Sequence, residues 1–230
     1  MVWLVTLILQ STPLLLSYLH IILYFAINII EPTRLTHGFR YKTNTDTAVR
    51  KWESTRGMDP DSFGYNYQTP DGQYLTANGT VQALVDIVSK NGNFLLDIDP
   101  RNDGTIADVM VQGLTEAGSW IEAHAESIFK TRYWSVTPGL GSFRYTTTKD
   151  AFYIHYLTTP GTTVDIPDKV PYLPGDTVTV LGGSMRGSRV MVTEREDGTI
   201  SLGLSSAQVM ADKYVWTFKL TYATSYNGSL

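Results

Sequence analysis

The feature that most restricts the fold of this chain is a change of hydrophobic period near Pro138-Gly139. Ahead of it, Val81, Leu84, Val85 and Val88 recur at helical spacing, and the apolar run Asn93–Ile98 follows at once, bounded by turns. Helix then buried strand is the rhythm of a β/α unit with a parallel sheet. Thr80 is placed to cap that helix. Asn91-Gly92 is placed to end it, with the glycine free to take the left-handed conformation. A second helix is predicted over roughly Ala107–Glu122, with Met110, Leu114, Ala117 and Ile121 on one side. Upstream, Lys51–Ser54 reads as a short strand, and Gly57, Pro60, Asp61 and Gly64 read as a long loop. Beyond Pro138-Gly139 the runs shorten and alternate: Phe143–Thr148, Phe152–Leu157, Thr163–Ile166, Thr177–Leu181, Arg189–Glu194, Thr199–Leu204 and Val215–Tyr222. Within Ala151–Leu157, Phe152, Ile154 and Tyr156 fall on one face, and Tyr153, His155 and Leu157 on the other. This spacing predicts an antiparallel sandwich, with a domain boundary near Thr137.

The amino-terminal run Val2–Ile30 contains no Asp, Glu, Lys or Arg. It exceeds the roughly 20 apolar residues that a helix needs to cross a bilayer. It is long for a signal peptide and lacks a basic opening and a clear small-residue cleavage site. The first charges behind it, Glu31, Arg34, Arg40 and Lys42, lean basic and would place that flank in the cytoplasm. Two readings follow: a membrane anchor or uncleaved signal, or an unrelated leader in front of a truncated enzyme. The expected organisation is an apolar leader or membrane helix over residues 1–30, a β/α portion over 31–137 and a β-sandwich over 138–230.

Charge and composition exclude several functions. The net charge is −4, whereas a phosphate-binding surface needs concentrated Lys and Arg, so no nucleic-acid partner is expected. There is no cysteine, hence no disulfide, no Cys-ligated zinc and no thiol nucleophile. The four histidines, His20, His37, His124 and His155, have no metal-ligand spacing. No metal or cofactor is expected.

The motifs sharpen this picture. KWESTRGMDPDSFGYN (51–66), LVDIVSKNGNFLLDIDPRNDGTI (84–106) and AESIFKTRYW (125–134) occur in that order. Together they resemble the α-L-fucosidases of glycoside hydrolase family twenty-nine, fungal members especially, over about Tyr41–Trp134. The resemblance implies the last part of a (β/α)8-like barrel followed by a β-sandwich, with an active site at the carboxyl ends of the barrel strands. It implies retaining hydrolysis of terminal α-L-fucose. It also implies that the aspartate nucleophile lies among barrel strands with no counterpart here, so that this chain alone is expected to be inactive.

Retaining glycosidases use two carboxyl groups, one as nucleophile and one as acid/base. The resemblance makes Glu53, behind Trp52, the candidate acid/base. The alternative is that Glu53 is one arm of an ion pair with Arg56 or Lys51. Phe63 resembles the aromatic residue that packs on the methyl group of the 6-deoxy sugar, and Trp52 would add to the same wall; core packing is the alternative for both. Tyr65, Arg132 and Glu126 read as structural. Asp97 and Asp99 read as turn and hydrogen-bonding residues, with Asp99 standing where the family has glycine and Ala125 where it again has glycine.

Three functions compete. The first is α-L-fucosidase by descent, acting on fucosylated glycans or glycosides. The second is a non-catalytic sugar-binding or structural module, favoured by aromatic side chains on an exposed sheet face. The third is a membrane-anchored remnant held by residues 1–30. The sequons Asn78-Gly-Thr80 and Asn227-Gly-Ser229 would be used if the chain enters the secretory pathway, and a secreted or membrane-associated location is expected.

Overall fold

The structure is a computed structural model that describes residues 51–223. The apolar run at 1–30 and the loop expected at 31–50 lie outside the described residues. Among those described, no helix is long and apolar enough to cross a membrane. The chain divides into two compact units, Met1–Glu122 and Ala123–Leu230.

The first unit is built on one β/α/β element. Strand β1 (Trp52–Gly57) runs parallel to β2 (Gly92–Asp97), in a register that pairs Trp52 with Gly92, Glu53 with Asn93 and Gly57 with Asp97. Between them lies helix α1 (Ala77–Ser89), which buries Val81, Leu84 and Val85 at the expected helical spacing. The parallel pair joined by a helix is the arrangement that the helix-then-strand rhythm predicts.

Two details of α1 differ from the sequence reading. The cap is Thr76, whose side chain accepts from the Gly79 amide, and Thr80 is buried one turn inside the helix. At the other end the left-handed residue is Asn91 (φ 65°), not Gly92. Gly92 opens β2 and is small for another reason. A Cβ there would meet the Trp52 ring and Ile87 at 2.7 Å. Helix α2 (Asp108–Ala123) follows and buries Met110, Leu114 and Ala117. Met110 and Leu114 join Met58, Tyr74, Ile106 and Ala107 in a small core.

The second unit opens with a single helical turn, α3 (Ala125–Ile128), and is otherwise two antiparallel sheets. Its strands are β3 (Arg132–Tyr133), β4 (Phe143–Thr147), β5 (Ala151–Tyr156), β6 (Thr163–Ile166), β7 (Thr177–Val180), β8 (Met191–Glu194), β9 (Ile200–Gly203) and β10 (Trp216–Thr221), with a short helix α4 (Ser206–Val209) before the last. One sheet has the order β3-β4-β5-β10-β7 and the other β6-β9-β8. Their facing side chains, among them Tyr145, Phe152, Ile154, Ile166, Leu202 and Phe218, form one core, as two packed sheets require. The unit begins ahead of the boundary expected near Thr137, because β3 already pairs with β4.

Candidate active site

Barrel-type sites form where parallel strands end, so the residues that matter are those beyond Gly57 and Asp97, which are paired neighbours. Gly57 makes a tight exit. A Cβ there would press on the carbonyl oxygens of Asp59 and Ser62 at 2.9 Å. The chain then forms a long loop whose base is tied by the Leu75 amide donating to the Met58 carbonyl at 2.8 Å. The loop is organised by its own polar side chains. Asp59 Oδ1 accepts from the Asp61 amide, the Gly64 amide donates to Ser62 Oγ, and Asn66 Oδ1 accepts from the Gln68 amide. These are the local turns that Asp, Ser and Asn favour.

This loop presents Phe63, Tyr65 and Tyr67 at every second residue. They are 62%, 38% and 81% exposed, and they are the only aromatic residues among the exposed large hydrophobic side chains described. Tyr65 is held by the loop that follows β2. The Arg101 guanidinium lies 5.4 Å from its ring centroid, and Nε donates to the Tyr65 hydroxyl at 3.4 Å. Arg101 is itself fixed through Nη1 to Thr105 Oγ1 and to the Ile106 carbonyl, each at 3.3 Å. The two loops at the carboxyl ends of β1 and β2 are thus joined.

Beneath them is a cluster of carboxyl groups. Asp59 and Asp99 are only 3% and 1% exposed. Burial, the neighbouring Asp97 with its side-chain hydrogen bond, and then Asp59 push Asp99 up from 3.8 to about 6. Two close carboxyls in a dry site cannot both ionise cheaply, so a proton is retained. Tyr74 is raised as well, by burial first and then by Asp59, Tyr65, Asp99 and Asp71. Asp97 and Asp99 are thus hydrogen-bonded to one another at the carboxyl end of β2. Among the described residues no group of His, Cys, Asp or Glu is arranged to hold a metal ion.

Trp52 and Glu53 sit elsewhere. They occupy the amino end of β1, with Glu53 about 13 Å from Gly57 at 3.3 Å per residue. Trp52 Nε1 donates to the Lys90 carbonyl at 2.8 Å, and its ring lies against Gly92. Glu53 Oε2 accepts from Asn93 Nδ2 at 2.6 Å across the parallel pair. Trp52 and Glu53 stand at the amino end of β1, and Phe63 lies in the loop beyond its carboxyl end.

In the second unit none of the described aromatic side chains is exposed. Its exposed large hydrophobic residues are Val136, Leu140, Leu173, Met191 and Met210, and none is a ring that a sugar could stack on. Glu126 is a structural hub, bonded to Lys219 Nζ at 2.6 Å and to Arg186 Nη2 and the Tyr153 hydroxyl at 3.4 Å.

The described residues form a β/α/β element followed by a unit of two antiparallel sheets. Residues 32–126 match the model of the alpha-L-fucosidase family. The tissue alpha-L-fucosidase of Mus musculus is 30% identical over 175 residues, covering 74% of this chain and 38% of that protein. The plasma alpha-L-fucosidase of Homo sapiens is 39% identical over 93 residues, covering 38% of this chain and 20% of the relative. A crystal structure of Thermotoga maritima alpha-fucosidase in complex with fucose superposes with a TM-score of 0.64 at 26% identity, covering 74% of this chain and 40% of that one. The chain is thus similar to alpha-L-fucosidases, and it spans less than half the length of each of these relatives.

Proposed function

We propose that this chain carries part of the sugar site of a retaining α-L-fucosidase and contacts terminal fucose through Phe63. The observation that carries this reading is that, among the described residues, the exposed aromatic side chains are confined to one loop, at the carboxyl end of β1, inside the segment matched to the family. A 6-deoxy sugar offers a methyl group, and an apolar ring beside it disfavours a sugar with a hydroxyl there. The fucose named in the Thermotoga complex supports the same ligand. The lack of an exposed aromatic side chain among the described residues of the sandwich favours this reading over the sugar-binding module.

Glu53 is the acid/base that the resemblance implies, and Asn93 Nδ2 donates to its carboxylate. A glutamate tied to Asn93 at the amino end is placed to hold strand register. Retaining hydrolysis needs a nucleophile as well as an acid/base, and no residue of this chain matches the nucleophile that the resemblance implies. We therefore expect binding without turnover by the chain as given. The plasma enzymes among its relatives support passage through the secretory pathway, where Asn78, exposed on the first turn of α1, would be glycosylated.

Fucose titrated into the full chain, followed by amide chemical shifts, tests the reading. Shifts centred on Phe63 that vanish in Phe63→Ala with the fold intact are expected. Shifts elsewhere, or an unchanged response in the variant, would overturn it. An aryl α-L-fucoside assayed alongside is expected to give no product; turnover would show that the carboxylates present suffice.

A further inference from the structure

The chain crosses from one sheet of the second unit to the other between Val190 and Met191. Up to that point it is tied to β7. The Val180 amide donates to the Ser188 carbonyl at 3.0 Å, and the Val190 amide to the Val178 carbonyl at 2.8 Å. From Met191 onward it is β8 and pairs with β9, with Met191 opposite Gly203. A strand that changes sheet makes a corner, and at this one lies a cleft of about 360 Å³. Its lining includes Val178 and Val190, both buried, and Tyr172 and Val192, both half-buried. Two charged side chains, Arg189 and Asp176, line the same cleft. We propose that it binds a short zwitterionic peptide with apolar side chains, the carboxylate on Arg189 and the ammonium group on Asp176.

Size and lining carry the first part. Sites for small molecules occupy roughly 300–1,000 Å³ and are mostly apolar, with a few polar groups that fix orientation. This cleft lies at the small end of that range and has that constitution. Met191, which also lines it, is 73% exposed. An aliphatic ligand seated there would take that side chain out of water together with its own surface.

Charge carries the second part. A guanidinium has donors only, and a carboxylate has acceptors only. Among the described residues the Arg189 side chain makes no hydrogen bond or ion pair. Asp176 Oδ2 accepts from the Leu173 amide at 2.9 Å, and Oδ1 from the Ala223 amide at 2.8 Å. These bonds orient the carboxylate without neutralising it, and each oxygen keeps a lone pair for a further donor. Arg189 and Asp176 thus share a cleft without pairing with one another. An anionic ligand would leave Asp176 uncompensated, a cationic one would leave Arg189 so, and a neutral one both. A zwitterion meets both charges at once, and apolar side chains suit the valines between. Every residue involved belongs to the second unit, and the proposal does not depend on the fucose reading.

The test uses the full chain, with binding followed by amide chemical shifts. The probes are leucyl-leucine, its N-acetyl derivative, its carboxamide and glycylglycine. Leucyl-leucine is expected to shift the amides of β7, of β8 and of the run that joins them. Loss of either charge from the probe should weaken binding roughly tenfold, about what one charge-assisted hydrogen bond contributes. Glycylglycine, which lacks the apolar side chains, should bind more weakly than leucyl-leucine. Arg189→Gln should weaken leucyl-leucine roughly tenfold and leave the carboxamide unchanged, because the group that Arg189 holds is already gone from that probe. Arg189 is exposed and its side chain has no partner among the described residues, so the variant should keep its fold. The Asp176 contact is read from the probe, since Asp176 also holds two backbone amides. Equal affinity for leucyl-leucine and either derivative would overturn the proposal. So would acetate that competes as well as leucyl-leucine, which would reduce the cleft to an anion contact at Arg189. Shifts confined to other parts of the chain would overturn it as well.

Discussion

At the scale of single residues, two positions show how much a local environment decides. Gly92 is dictated by a neighbour forty residues earlier in the chain. Its missing side chain is the space that the Trp52 ring occupies, with Ile87 on the other side. Gly92→Ala forces one of these to shift, and overpacking of this kind costs about 1–3 kcal/mol. Urea unfolding of the variant should show that loss, together with weaker protection of the β1 and β2 amides. Asp99 is the second case. Its value in the fold, about 6, lies above its ordinary 3.8. Between those values the folded state holds a proton that the unfolded chain has released. Its contribution is therefore complete below about pH 4 and is lost as pH rises through 6. Asp99→Asn removes the ionisation and should stabilise the first unit at pH 7.5 by roughly 2 kcal/mol. A variant less stable than the parent at that pH would show that Asp99 is better off charged.

At the scale of elements, β5 is the most informative. Its alternation predicts one buried face, yet Phe152, Tyr153, Ile154 and His155 are all buried. Phe152 and Ile154 enter the inter-sheet core, while His155 lies on the other face. There it meets Thr146 Oγ1 at 2.9 Å through Nε2 and Thr217 Oγ1 at 3.1 Å through Nδ1. Burial, with a smaller effect from His124, lowers His155 from 6.5 to about 3. The imidazole is neutral in the fold. Its contribution is present above about pH 6.5 and is lost as pH falls through that window toward 3. Amide exchange of β4, β5 and β10 should therefore speed up between pH 6.5 and 4 by more than the chemistry of exchange alone accounts for. His155→Gln, which keeps a donor and an acceptor, should flatten that dependence.

Much of this element structure is legible in the sequence, because it is written in local periods. The stripe Val81, Leu84, Val85 gives α1, and the alternating runs give every longer strand of the second unit to within two residues at each end, Thr163–Ile166 to the residue, whereas β1 runs on to Gly57, past the Ser54 expected. The two-residue β3 and the single turns α3 and α4 carry too few residues to hold a period. The site was only half legible. Phe63 follows from a motif, and the structure sets it at a strand end. Trp52-Glu53 is a motif too, and the pairing of Glu53 with Asn93 across the parallel strands is a contact that the motif does not show. The contact between Arg101 and Tyr65 joins two loops whose residues are thirty-six apart, a distance that no local pattern spans.

At the scale of the molecule, the two units carry opposite responses to acid. In the first, Asp99 takes up its retained proton as pH falls, and the fold gains relative to the unfolded chain. In the second, His155 must stay neutral while the unfolded chain gains a proton, and the fold loses. The windows overlap between about pH 4 and 6. Each unit has its own core, so each can open on its own terms. Acidification from pH 7 to 4.5 should increase protection of β1, α1 and β2 while decreasing that of β4, β5 and β10 in one sample of the full chain. Residue-resolved hydrogen exchange reads both at once. Asp99→Asn should cancel the first trend alone, and His155→Gln the second alone. If both variants instead changed both trends together, the chain would be opening as one cooperative body, and the separate accounts of the two groups would fail.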